Sequence, residues 1–168
     1  FDAMPALAKT ELATTEAISF TSFDGTEIHG YLTAAKGSSE NKPLIVNVHG
    51  GPHFVRDAWG FDREVQLLAL AGYSVLQLNY RGSGGYGLKH QEAGYQQWGD
   101  AIQQDMIAGT HWAVKSGIAN AGNICIMGGS FGGYSAVQSA VLAPDLYKCV
   151  VGVAGVYDLQ LMKEEGDI

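Results

Sequence analysis

Gly128-Gly129-Ser130-Phe131-Gly132-Gly133 lies between the apolar run 124–127 and a helix-like stretch over 131–142, and no other segment constrains the fold as much. An apolar strand that enters a tight glycine turn with a serine at its apex, then leaves as a helix, has the build of a nucleophile elbow, G-x-S-x-G. Such a turn presents the serine hydroxyl at the carboxyl edge of a sheet. Its flanking residues must be small, because the serine backbone is strained and neighbouring side chains would collide with strand and helix. Ser130 is therefore the candidate nucleophile, and it needs a base and an oxyanion hole beside it to react. A passive serine in a glycine-rich turn is the alternative.

The rest of the chain supplies a sheet for that elbow. Residues 1–16 are rich in Ala, Thr and Glu without firm periodicity and read as a lead-in. Ile18 and Phe20 alternate with polar residues, Asp24-Gly25 turns the chain, and Ile28, Tyr31 and Leu32 follow, which predicts a β-hairpin. A polar loop is expected over 36–42. From Pro43 the pattern changes: 44–48 is a near-continuous apolar run, the mark of a strand buried on both faces, and further strands are expected at 73–78, 123–127 and 149–153. Helical spacing appears at 61–71, 100–114 and 131–142, and a polar tail follows the last strand. Strands alternating with helices predict an α/β fold, a mostly parallel sheet covered on both faces.

Charge and composition exclude several roles. A net charge of −7 leaves no basic stripe to neutralise phosphates, which argues against nucleic acid. The most apolar stretch, 65–78, is shorter than the ~20 residues of a membrane span and is broken by Gly72, Gln66 and Gln77. With 46% hydrophobic and 16% charged residues, a soluble globular protein is expected, with cytoplasm and periplasm both open. Cys125 and Cys149 lie in apolar strands and read as buried thiols, not as a disulfide. No cofactor or metal is implied. His49 and His53 are four apart, but in a glycine-proline loop without a third ligand nearby.

Two glycine-rich loops follow predicted strands. His49-Gly50-Gly51-Pro52-His53 frees backbone N–H groups to face a developing oxyanion, and Phe131 N–H, next after the serine, is the second donor. His49 itself reads as a structural histidine, because in this chain order the base comes after the serine. Gly82, Gly84 and Gly87 satisfy the dinucleotide pattern G-x-G-x-x-G, but no helix is expected to start at Gly87, so a pyrophosphate would lack its helix N-terminus. Asp100 and Asp105 read as support for the 100–114 helix, and Asp158 as a turn residue.

Taken in order, the Asp24-Gly25 hairpin, HGGPH at 49–53, NYRGSGGYG at 79–87, Trp98-Gly99-Asp100 and GGSFGGY at 128–134 resemble the catalytic domain of the prolyl oligopeptidase family. The acylaminoacyl-peptidase and dipeptidyl-peptidase branches look most similar. The resemblance covers about 17–160 and implies an α/β-hydrolase fold, a serine peptidase acting on short peptides, and an upstream β-propeller. It makes Ser130 the nucleophile, with Gly51 and Phe131 N–H as oxyanion donors. All five histidines, at 29, 49, 53, 90 and 111, precede Ser130, whereas the family's acid and base follow it. Residues 17–168 are accordingly expected to be part of a catalytic domain, cut before the last strands and inactive alone, with the catalytic Asp and His beyond Ile168. A piece of a carboxylesterase on the same fold, or a short non-catalytic α/β protein, are the other readings.

Overall fold

The computed structural model describes residues 10–37 and 43–166. Residues 1–9, and most of the polar loop expected over 36–42, lie outside this range. The apolar run 44–48 forms β3 (Leu44–Val48), buried at four of its five positions, beside β4 (Ser74–Asn79), buried at five of six. Strands β5 (Ile124–Gly129) and β6 (Cys149–Val153) extend the parallel sheet on the other side of β3. The hairpin β1 (Thr15–Thr21) and β2 (Glu27–Thr33) joins antiparallel to β4, giving the order β1-β2-β4-β3-β5-β6.

Helix α1 (Arg63–Leu70) begins at Asp62, whose carboxylate accepts from Val65 N–H at 3.0 Å, and it packs on β4 and β2. Helices α3 (Ala101–Lys115) and α4 (Phe131–Leu142) pack against each other, with α4 covering β3, β5 and β6. From β3 the chain moves to β4 on one side; from β4 it crosses back to β5 on the other. Right-handed crossovers in opposite directions put α1 and α3 on opposite faces. The reversal makes the carboxyl ends of β3 and β5 a topological switch point, where open α/β sheets bind ligands. Both glycine motifs, HGGPH and GGSFGG, follow those two strands. The core between the layers is fully buried and includes Ile28, Val46, Leu76, Leu78, Ile102, Met106, Ile124, Ile126 and Phe131.

Several expectations need correction. The lead-in is partly docked: β1 starts at Thr15, and Ala13 is buried, exchanging two hydrogen bonds with the side chain of Gln66 at 2.8 and 3.0 Å. Cys125 and Cys149 are not free thiols. They stand opposite each other in the β5–β6 register, with Cα atoms 4.7 Å apart, and form a disulfide; Cys149 is exposed. A helix does start after Gly87, namely α2 (Leu88–Glu92), although it has five residues and buries none of them. The 82–87 loop is filled by protein instead: a Cβ on Gly84 would collide with the Phe54 carbonyl, and one on Gly85 would meet the Arg56 guanidinium at 2.5 Å. These glycines let the 52–56 segment lie against the loop, which leaves no phosphate cradle. Past β6 the polar tail is α5 (Leu159–Glu165), capped by Asp158, whose carboxylate accepts from Gln160 and Leu161 N–H.

The acidic residues of α3 also differ from expectation. Asp100 holds the N-cap position without a side-chain capping bond. Asp105 is completely buried in mid-helix and does not serve the helix dipole. It accepts from Arg81 Nε and Nη2 at 2.8 Å each, from Arg81 N–H at 3.1 Å and from Ser22 Oγ at 2.6 Å. Arg81 turns its remaining donors to Asp24 at the hairpin tip, at 2.8 and 3.2 Å. One guanidinium thus joins the hairpin, the end of β4 and α3. That bidentate bond holds the Asp24 carboxyl well below the usual carboxylate range.

Candidate active site

Ser130 stands between β5 and α4 at φ 55°, ψ −125°, a region that residues with a Cβ enter only under constraint. Three contacts supply the constraint. Ser130 N–H donates to the Val153 carbonyl of β6 at 2.9 Å, and its own carbonyl accepts from Gly133 and Tyr134 N–H at 3.0 and 3.2 Å. A Cβ on Gly132 would collide with the Val48 carbonyl at the end of β3, so only glycine lets α4 start that close to the sheet. Ser130 itself is exposed. Phe131 is the first residue of α4, and its N–H is among those a helix leaves unpaired at its N-terminus.

The loop after β3 comes to the same place. A Cβ on Gly50 would lie 3.6 Å from both the Gly129 carbonyl and Ser130 Cβ, so His49-Gly50-Gly51 runs alongside the elbow. Gly51 has φ 122° and precedes a cis proline, Pro52. Behind the loop, the His49 ring stacks on Tyr80 with centroids 4.3 Å apart. His49 Nδ1 lies 2.7 Å from the Gly50 carbonyl and Nε2 lies 3.1 Å from Ser83 Oγ. A carbonyl only accepts, so Nδ1 carries the proton and Nε2 accepts from the serine. Burial pushes the His49 pKa down to about 4, which keeps the ring neutral. His49, Ser83 and Tyr80 are thus occupied in shaping the loop.

Trp98 closes the site from the α3 side. Its indole N–H donates to His53 Nε2 at 3.2 Å, and its ring meets Phe131 edge-on with centroids 5.0 Å apart. The Trp98 carbonyl is held by Gln103 Nε2 at 2.6 Å, and Gln103 Oε1 accepts from Ser135 and Ser139 of α4. Tyr80 and Ser83 lie within NYRGSGGYG and Trp98 opens Trp98-Gly99-Asp100, but neither motif tells what these side chains hold, and Gln103 carries no signal. Among the described residues no side chain is hydrogen-bonded to the Ser130 hydroxyl, and no group of three or more His, Cys, Asp or Glu is placed to hold a metal ion. No helix among them is long and apolar enough to cross a membrane. A hollow of about 510 Å³ between the hairpin tip and α2, lined by Asp24, His29, Tyr86 and His90, contains neither Ser130 nor the 49–53 loop.

Asp57, at the far end of the 49–57 segment, was not marked by any motif. Its backbone exchanges two hydrogen bonds with the Asn79 side chain at 2.8 and 3.1 Å, and its carboxyl Oδ2 is buried without a partner. Burial, opposed by a Gln77 hydrogen bond and reinforced by nearby Asp62, pushes its pKa up to about 7. The folded pKa is above the unfolded value, so this group's contribution to stability is full below about pH 4 and is lost as pH rises through about 7. His49 has the opposite sign: its pKa is depressed, so its contribution is lost as pH falls from 6.5 through about 4. Asp57→Asn is therefore expected to raise stability at pH 8 by about 2–4 kcal/mol and to change little at pH 4. Thermal midpoints of the two proteins across pH check this; a constant difference from pH 4 to 8 would assign the raised pKa to another group.

An exposed serine on a strained strand-to-helix turn, at the switch point of a parallel sheet and beside a Gly-Gly loop, has the geometry of the nucleophile elbow of the α/β-hydrolase fold. The match to the Prolyl oligopeptidase family covers residues 59–168, and the chain belongs to that family. Dipeptidyl aminopeptidase BIII of Pseudoxanthomonas mexicana is 34% identical over 96% of this chain and 24% of its own length. A puromycin-hydrolyzing peptidase of Mycobacterium tuberculosis has 31% identity and a TM-score of 0.83, over 90% of this chain and 24% of that one. The Pyrococcus horikoshii acylaminoacyl peptidase has 30% identity and a TM-score of 0.80, over 89% and 24%. The chain thus spans about a quarter of the length of these relatives.

Proposed function

We propose that the intact protein is a serine peptidase that hydrolyses short peptides through an acyl-enzyme on Ser130. The observation that carries this reading is the strained Ser130 backbone set directly against the Gly50-Gly51 loop. In this reading Ser130 Oγ attacks the scissile carbonyl, and the N–H groups of Gly51 and Phe131 stabilise the oxyanion as it forms. The general base and its carboxylate partner come from outside residues 1–168. All five histidines precede Ser130, and the two nearest motif histidines are engaged elsewhere, His49 with Gly50 and Ser83, His53 with Trp98. Residues 17–168 are then the first part of the catalytic domain, with 1–16 leading in, and residues 1–168 alone have little activity. A β-propeller upstream restricts entry to short peptides. The protein needs no cofactor, and it is soluble in cytoplasm or periplasm.

Fold alone does not choose between peptides and simple esters. Matched short peptide anilides and alkyl esters, assayed on the intact enzyme, make the choice. The anilides are expected to be turned over with kcat/KM of about 10⁴ M⁻¹s⁻¹ or more. Ester turnover with inert anilides would replace the peptidase by a carboxylesterase.

A further inference from the structure

We propose that His53 and Trp98 are a positioning pair for the Ser130 site, a clasp that is closed only while the His53 ring is neutral. The inference rests on the proposed role of Ser130. The Trp98 indole donates to His53 Nε2 at 3.2 Å, and its ring meets the Phe131 ring edge-on with centroids 5.0 Å apart. Phe131 opens α4 directly after Ser130, whereas His53 ends the HGGPH segment after β3. One side chain, on the connection between α2 and α3, thus spans from one segment of the site to the other. Its backbone is held separately, by Gln103 Nε2 donating to the Trp98 carbonyl at 2.6 Å, so the His53 bond governs the ring alone.

The chemistry of the pair makes the clasp acid-sensitive. An indole has one donor and no acceptor, so His53 Nε2 must accept and the proton of the neutral ring sits on Nδ1. Nδ1 is buried without a partner, against Gly82 of the loop after β4. A second proton, on Nε2, turns both ring nitrogens into donors, one facing the indole N–H and the other facing no acceptor. The ring also meets Tyr95 edge-on, with centroids 5.0 Å apart, and among the described residues no carboxylate pairs with it. The charge therefore gains no partner, and burial holds the His53 pKa below the ordinary 6.5. The clasp is closed near neutral pH. It opens as pH falls through the lowered pKa, when the half-buried imidazolium turns to water and the indole loses its acceptor.

In the intact enzyme, log kcat/KM is expected to fall on the acid side with a limiting slope of about two, one proton for the general base and one for His53. His53→Gln keeps an acceptor for the indole in Oε1 and does not titrate. It should retain most of the activity at pH 8 and fall with a slope of about one. His53→Leu, which has no acceptor, is expected to lose about 10-fold in kcat/KM at pH 8, as misplacement of a supporting group does. Trp98→Phe keeps a ring against Phe131 without the N–H, and it should lose a similar factor and share the slope of about one. Tryptophan emission gives a readout that needs no turnover. The difference between wild type and Trp98→Phe isolates Trp98, and it should change with a midpoint below pH 6.5. That transition should be absent from His53→Gln. Equal slopes in wild type and His53→Gln would overturn the proposal, as would equal losses in His53→Gln and His53→Leu or an emission transition that persists in His53→Gln. Fluorophosphonate treatment at pH 8 separates the two levels, because no modification of Ser130 in wild type overturns the reading of the site and leaves the emission result to decide the clasp.

Discussion

Ser130→Ala is expected to lower turnover by the intact enzyme about 10⁶-fold, the scale on which serine hydrolases lose activity with their nucleophile. In the proposed mechanism the residual rate comes from the Gly51 and Phe131 N–H donors and from substrate positioning, which alanine leaves in place. Because the strain at φ 55° is a property of the backbone and its neighbours, the variant keeps the elbow; its Ser130 N–H equivalent still reaches Val153. KM and thermal stability are therefore expected to change little. Steady-state kinetics with the preferred anilide substrate decide it. A loss under tenfold would mean that Oγ of Ser130 forms no acyl-enzyme.

The largest stability effect is expected at Arg81. Its guanidinium is 7% exposed, and its partner Asp105 is completely buried. Arg81→Met leaves the Asp105 carboxylate with one side-chain donor, Ser22 Oγ, and removes the clamp on Asp24. Stranding a buried charge in this way costs about 3–5 kcal/mol. Replacing both charges, Arg81→Met with Asp105→Leu, is expected to recover a large share of that loss, because the desolvation penalty disappears together with the attraction. Asp24 lies at the surface and needs no partner there. Denaturation midpoints of the wild type, the single and the double variant measure this. A single variant within 1 kcal/mol of wild type would show that the hairpin, β4 and α3 are held together by packing alone.

What the sequence reveals follows from the range of the interactions. Strands β3 and β4 are readable because burial on both faces makes them near-continuous apolar runs, β5 because its apolar residues run into the serine turn, and α4 because its glycines and small residues follow that turn. Ser130 and the Gly50-Gly51 loop are readable because each motif is local. The disulfide is not: Cys125 and Cys149 are 24 residues apart and meet only because β6 takes its place next to β5. Asp105 looks like helix support until the crossover brings Arg81 against it. Five-residue α2 has no periodicity to read, and Ala13 docks on Gln66 across 53 positions. Asp57 carries no motif, and the burial that raises its pKa comes about only in the fold. The supports of the site are therefore less legible than the groups they hold.

The assignment of Ser130 as nucleophile is tested most directly by mass spectrometry of the intact enzyme after reaction with a fluorophosphonate. One adduct per chain is expected, on the peptide that contains 128–134 and on Ser130 Oγ itself, with no labelling of the Ser130→Ala protein. An adduct on a different serine, or equal labelling of the alanine variant, would contradict it.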